Sequence, residues 1–141
     1  GHGYGRIGCF SAGCCYGSEC TAPWAAVFKN DYAADLTGVH LHTPLHPVQL
    51  YEAILNFLNF GILYIILKKK KFDGQVFAFY FINYSVIRFF TEYFRGDHSE
   101  NIYFIRGATP LSSLSYPQLF CVLSLIGGAV LAIVLKRRKI A

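Results

Sequence analysis

Charge is scarce in this chain. Only 15% of its 141 residues are Asp, Glu, Lys or Arg, against about 25% in an ordinary soluble domain. Hydrophobic residues make up 54%, and they lie in long blocks instead of being spread as a soluble core requires. Acidic residues are the scarcer sign, 8 against 13 basic, which leaves a net charge of +5. A positive balance can mean a nucleic-acid partner, so its distribution decides. Eight of the thirteen basic residues fall in two runs, Lys68-Lys69-Lys70-Lys71 and Lys136-Arg137-Arg138-Lys139. Each run directly follows an apolar block, the placement of membrane-flanking charge and not of a phosphate-tracking stripe. No nucleic acid is expected as a partner. Repeats and low-complexity segments are absent, and no signal peptide is visible. The chain opens on Gly1 inside a motif, and it is expected to be the C-terminal piece of a longer protein.

Three apolar blocks organise what is present. Residues 48–67 are apolar except for Gln49, Glu52, Asn56 and Asn59. Twenty residues at 1.5 Å rise cover about 30 Å, the thickness of the hydrocarbon core. A second block, 75–94, carries Arg88 and Glu92, and a third, 118–135, carries Gly127-Gly128, a sign of close helix contact. Residues 95–117 read as a polar loop with Asp97, Glu100 and Arg106. The expected fold class is all-α: a polytopic transmembrane helical bundle with three spanning helices and an irregular outer-face region over residues 1–47. Both basic runs should face the cytoplasm. They lie two crossings apart, so one orientation satisfies both and leaves the C-terminus cytoplasmic.

Three constellations could carry chemistry. In the second block Tyr84, Arg88 and Glu92 recur at i, i+4 and i+8, with Arg95 three further on, which stacks them on one helical face. An arginine inside a spanning helix costs about 2.5–3.5 kcal/mol on insertion scales. It is expected either to neutralise itself against Glu92 or to line a cationic pocket for an anionic headgroup, since guanidinium matches phosphate with two parallel hydrogen bonds. Upstream, His46-Pro47-Val48-Gln49-Leu50-Tyr51-Glu52 places proline where a helix begins. Glu52 there answers the helix dipole or belongs to a site. Gln49 and Tyr51 read either as an interfacial belt or as substrate contacts. The third constellation, residues 5–17, has glycines at 5, 8, 13 and 17 around Arg6, a second candidate phosphate contact. It lacks the Gly-Lys-Ser/Thr of nucleotide-binding loops. Cys9, Cys14, Cys15 and Cys20 lack paired Cys-x-x-Cys spacing, so inert packing or disulfides are favoured over a metal. His2, His40 and His42 read as solvated more than as metal ligands.

In their order these motifs resemble the prolipoprotein diacylglyceryl transferases of bacteria, over nearly the whole chain. Residues 5–17 are similar to that family's Gly-Arg-Ile-Gly-Asn-Phe signature, which ends on a glycine at Gly17. His46 to Glu52 are similar to its His-Pro-x-Gln-Leu-Tyr-Glu segment, and Tyr84, Arg88, Glu92 and Arg95 to its Tyr-x-x-x-Arg-x-x-x-Glu-x-x-Arg helix. Leu114-Ser115-Tyr116-Pro117-Gln118 approximates its Leu-Ser-x-x-Gln entry to the last helix. Cys9 stands where the pattern has asparagine and Cys14 where it has glutamate, a cysteine-bearing variant of the signature.

The resemblance implies a multi-pass enzyme of the bacterial inner membrane. It would transfer the diacylglyceryl group of phosphatidylglycerol to the lipobox cysteine of a prolipoprotein signal peptide, without metal or nucleotide cofactor. It further implies that Arg88, Glu92 and Tyr84 are catalytic. Arg6, Arg95, His46, Gln49, Tyr51, Glu52 and Gly17 would bind substrate. A Phe-His-Gly-Gly segment with a histidine important for catalysis is implied upstream of Gly1, which makes this piece alone incomplete. From the residues themselves the competing expectation is a membrane transporter or binding protein for an anionic solute, since intramembrane Arg and Glu also line such paths.

Overall fold

The computed structural model describes residues 1–96, 103–105 and 114–140. The expected loop residues Asp97, Glu100 and Arg106 lie outside the described residues.

The chain begins with a helix, α1 (His2–Ala12), where the glycine-rich composition predicts irregular structure. The sequence expectation fails here because glycine weakens a helix by only about 1 kcal/mol per position, and packing on a neighbour outweighs that. Gly3 is buried against the Phe57 ring so closely that a Cβ would stand 2.9 Å from it. Gly13 ends α1 in a left-handed conformation, with its N–H on the carbonyls of Cys9 and Phe10. A small unit with two short strands follows. Strands β1 (Ala26–Val27) and β2 (Pro44–Leu45) pair antiparallel around α2 (Asp31–Thr37), which Asn30 caps by accepting the Tyr32 N–H at 3.0 Å. Tyr16, Val39 and Leu45 form its core, and the Tyr16 hydroxyl donates to the Gly38 carbonyl at 2.9 Å.

Helix α3 (Val48–Lys68) is about 31 Å long. Its buried positions include Gln49, Glu52, Asn56 and Asn59, at spacings of three, four and three, while Ile54, Leu58, Phe60 and Ile65 are exposed. The helix is apolar outside and polar within, the pattern of a helix whose solvent is lipid. Lys68 to Gly74 turn the chain, with Lys70 paired to Asp73 at 2.9 Å. Helix α4 (Gln75–Thr91) then packs on α3, where Asn83 donates to the Asn59 side chain at 2.9 Å. It tightens into a 3-10 turn, Glu92–Phe94, and Arg95 leaves it in an extended conformation. Arg95 therefore does not continue the helical face that its spacing predicts.

Strands β3 (Tyr103–Ile105) and β4 (Leu114–Ser115) pair antiparallel before α5 (Tyr116–Ile140). Ser115 and Gln118 form a reciprocal capping pair at its start. The Ser115 N–H donates to Gln118 Oε1 at 3.0 Å, and the Gln118 N–H to Ser115 Oγ at 3.4 Å. Close contact at Gly128 agrees with expectation, since a Cβ there would stand 3.0–3.2 Å from Ile82, Ala78 and Phe81 of α4. Gly127 has open space instead. The protein is mostly helical. Two helices, α3 and α5 over Tyr116–Arg138, are long and apolar enough to cross a membrane. Helix α4, at 17 residues, is about 26 Å long.

Candidate active site

One end of the bundle is stitched together by the segment that follows α1. Gly17 donates to the His46 carbonyl at 3.0 Å, His46 to the Ser18 carbonyl at 2.9 Å, Ser18 to the Phe94 carbonyl at 2.9 Å and Gly96 to the Tyr16 carbonyl at 3.2 Å. Residues 16–18 thus lie between the entry to α3 and the exit of α4. A Cβ at Gly17 would overlap the His46 carbonyl and Val48, and one at Gly96 would overlap Gly17. Close backbone approach explains glycine here. Replacing Gly17 with alanine is expected to destabilise the full-length protein by about 1–3 kcal/mol, the usual cost of overpacking. Thermal unfolding in detergent measures this, and an unchanged midpoint would contradict the crossing.

This stitching brings two arginines from different helices onto one carboxylate. Glu52 is 3% exposed, and Arg6 Nε forms an ion pair with its Oε2. Arg88 Nη1 donates to its Oε1 at 3.1 Å, and the Thr91 hydroxyl donates to the same oxygen at 2.9 Å. Arg88 also reaches Glu92 Oε2 at 2.7 Å through Nη2, and Ser115 Oγ donates to Glu92 Oε1 at 3.2 Å. Arg88 therefore does more than neutralise its own helix neighbour. Burial, the largest single influence, works against the charge on Arg6, but the Glu52 carboxylate, helped by Cys15 and Tyr84, outweighs it, so Arg6 titrates above the ordinary arginine value. Arg95 lies within electrostatic reach of Arg6, and Tyr84 within reach of both Arg6 and Arg88. Among the described residues, Arg6 and Arg88 share the Glu52 carboxylate, and Arg88 also holds that of Glu92.

The remaining positions singled out from sequence are spread around this network. Gln49, 1% exposed, donates through Nε2 to the Cys14 carbonyl at 2.8 Å. His46 and Tyr51 stand with Phe94 in an aromatic group, and Tyr51 also accepts the Trp24 indole N–H at 2.9 Å. His2, expected to be solvated, instead stacks its ring on Tyr84 at 4.7 Å between centroids. Desolvation and then the Arg6 charge hold His2 below the ordinary histidine value, so it is neutral at pH 7. His40 packs on Tyr16, away from His2. Thr91 and the Glu92 bond of Ser115 went unnoticed in the sequence. Thr91 follows Arg88 by three, a spacing that would have exposed it. All five cysteines are free thiols, and Cys14 is pushed up to about 11 by burial, then by its contacts with Cys9 and Cys15. A cavity of about 510 Å³ lies beside the network, lined by His2, Tyr4, Asn56, Phe57, Phe60 and Tyr80 among others.

A family model described as prolipoprotein diacylglyceryl transferase matches residues 1–134. The chain belongs to that family. It is 37% identical over 121 residues to the phosphatidylglycerol–prolipoprotein diacylglyceryl transferase of Clostridium tetani (strain Massachusetts / E88), covering 86% of this chain and 44% of the relative. It is 39% identical over 129 residues to the second such transferase of Clostridium perfringens (strain 13 / Type A), covering 92% and 45%. With the transferase of Haemophilus influenzae (strain PittEE) the identity is 38% over 130 residues, covering 92% and 42%. The chain thus spans less than half the length of these transferase-family relatives. The resemblance read from the motifs is borne out at the level of the family.

Proposed function

We propose that the protein containing this chain transfers the diacylglyceryl group of phosphatidylglycerol to the lipobox cysteine thiol of a prolipoprotein. A thioether forms and glycerol phosphate leaves. The convergence of Arg6 and Arg88 on buried Glu52, beside a largely apolar cavity, carries this reading. Breaking the glyceryl C–O bond places charge on the departing phosphate. Preorganised guanidinium donors stabilise that charge where water is excluded. Arg6 and Arg88 bind the phosphate and Arg95 stands nearer the surface. Glu52 and Glu92 hold the guanidiniums in place, while Tyr84 and Gln49 hydrogen-bond the headgroup. Gly17 keeps the crossing closed, and His46 and Tyr51 form the outer wall.

The setting is a bacterial inner membrane crossed three times. Helix α4 and its 3-10 turn together cover Gln75–Phe94, roughly 30 Å, enough for a third crossing between α3 and α5. Both basic runs and the C-terminus then face the cytoplasm, and residues 1–47 form an outer-face unit.

The test uses the full-length protein in detergent with phosphatidylglycerol and a lipobox peptide. The expected product is the peptide with a diacylglyceryl group on its cysteine, detected by mass, and none on the serine analogue. Absence of that product, together with counter-ion-coupled uptake of an anion into proteoliposomes, would overturn the transferase reading in favour of transport.

A further inference from the structure

The two basic runs meet at the end of the bundle away from Glu52. Between Glu52 and Lys68, α3 covers about 24 Å, so this place is remote from the arginine network. Lys70 and Lys71 follow α3, and Arg138 lies near the end of α5. With Phe72, Asp73 and Leu135 they line a cavity of about 350 Å³. The turn into α4 closes it. Gly74 takes a left-handed backbone angle, φ 82°, and a Cβ there would stand 2.5 Å from Leu135 Cδ1. The turn therefore rests directly on α5. Lys71 ties the turn to the start of α4 by donating its N–H to Gln75 Oε1 at 2.7 Å.

Charge decides what such a cavity takes. Three cations and one carboxylate line it, and Lys70 holds that carboxylate, Asp73, at 2.9 Å. The lining is cationic and selects an anion. Orienting helices in a membrane requires only enough basic residues near their ends. It does not require those residues to enclose a space between two helices. Nor does the whole run take part, since Lys68 lies over the Tyr64 ring, 4.7 Å from its centroid. The apolar lining distinguishes a lipid from a soluble anion. Phe72 and Leu135 are half-buried, and Ile133 and Val134, just before Leu135, are exposed. A lipid phosphodiester seated among the cations has apolar surface of α5 beside it for its acyl chains. A free phosphate would use the cations alone.

We propose that the cavity between the α3–α4 turn and the end of α5 holds the phosphodiester of an anionic phospholipid, in the leaflet that both basic runs face. Basic pockets between spanning helices on the cytoplasmic side bind such headgroups. This is a second lipid position, separate from the proposed transfer chemistry. It rests on the three-crossing arrangement and not on the reaction. Lys71 and Arg138 grip the phosphate oxygens from two segments of the chain, while Lys70 and Asp73 form the rim. The bound lipid fastens α5 to the turn that starts α4.

Native mass spectrometry of the full-length protein in neutral detergent, titrated with phosphatidylserine, counts the lipids retained. This lipid is anionic and lacks the glycerol headgroup of the proposed donor. The unmodified protein should retain it in preference to phosphatidylcholine, a comparison that needs no variant. Lys71→Gln combined with Arg138→Gln should weaken retention of one lipid about thirtyfold, because each basic residue near an anionic surface contributes about a factor of five. Lys69→Gln combined with Arg137→Gln removes the same charge outside the cavity and should leave that lipid bound. Both pairs keep six of the eight basic residues in the two runs, enough to preserve orientation. Asp73→Asn should strengthen retention. Equal losses in the two double variants, equal retention of phosphatidylcholine, or displacement of that lipid by inorganic phosphate each overturns the proposal. A protein that retains the lipid yet never forms thioether upholds this position and removes the transferase reading instead.

Discussion

Alanine in place of Glu52 is expected to cost the full-length protein about 3–5 kcal/mol of stability and most of its lipid transfer. Arg6 and Arg88 share this one carboxylate, and both arginine side chains are only 15% exposed. Without it two like charges face each other in a medium that screens them poorly. Removing one member of a buried ionic group costs about 3–5 kcal/mol, because the members left behind stay desolvated. The Thr91 hydroxyl also loses its acceptor. Glutamine at the same position separates shape from charge. It preserves an oxygen for Thr91, so more of the stability should survive. The arginines, relieved of one counter-charge, should bind the lipid phosphate more tightly yet less productively, lowering KM and kcat together. Thermal unfolding and steady-state transfer of both variants measure this. Wild-type unfolding and transfer in Glu52→Ala would show that the carboxylate holds nothing together.

Loss of transfer by roughly 10²–10³-fold is expected of Arg88→Ala, the range seen when one preorganised donor to a developing oxyanion is removed. Membrane insertion should persist, since the change deletes the costliest group on α4. Lysine is the sharper test. Arg88 reaches Glu52 through Nη1 and Glu92 through Nη2, at 3.1 and 2.7 Å. A single ammonium cannot reproduce that planar fork, so Arg88→Lys should keep the charge and still lose much of the rate. Alkaline extraction of membranes checks insertion, and peptide lipidation checks activity. Normal transfer in Arg88→Ala would remove the residue from the mechanism.

Much of this fold was legible because lipid imposes a simple code. The first apolar block, 48–67, differs from α3 by one residue, and the second begins with α4 at Gln75. The i, i+4 spacing of Arg88 and Glu92 gave their pairing directly. What escaped is what depends on how helices meet. Nothing in the periodicity of α1 or α3 says that Arg6 and Glu52, 46 positions apart, touch. Glu52 in isolation reads equally well as a dipole partner. The α1 helix itself was hidden, because glycine lowers propensity and only the Phe57 contact reveals why one fits. The meeting of Cys9, Cys14 and Cys15, whose Sγ atoms lie within 4.8 Å of one another, was hidden for a similar reason: it accompanies a turn with left-handed angles at Gly13 and Cys15 that spacing does not reveal.

The polar stripe of α3 bears on how the protein is made. Gln49, Glu52, Asn56 and Asn59 lie along one side of a helix that must leave the translocation machinery for lipid. Alone, that helix carries into hydrocarbon a carboxylate and the Gln49 and Asn59 amides without their partners, while Asn56 keeps its bond to the Glu52 carbonyl. Those partners include Arg88, Thr91 and Asn83, all on α4, which follows after a short lysine-rich turn. With α4 crossing the membrane as proposed above, the two segments are suited to enter the bilayer as a hairpin, each masking the other's polarity. A chain truncated after Lys71 would present the stripe unshielded to quality-control proteases.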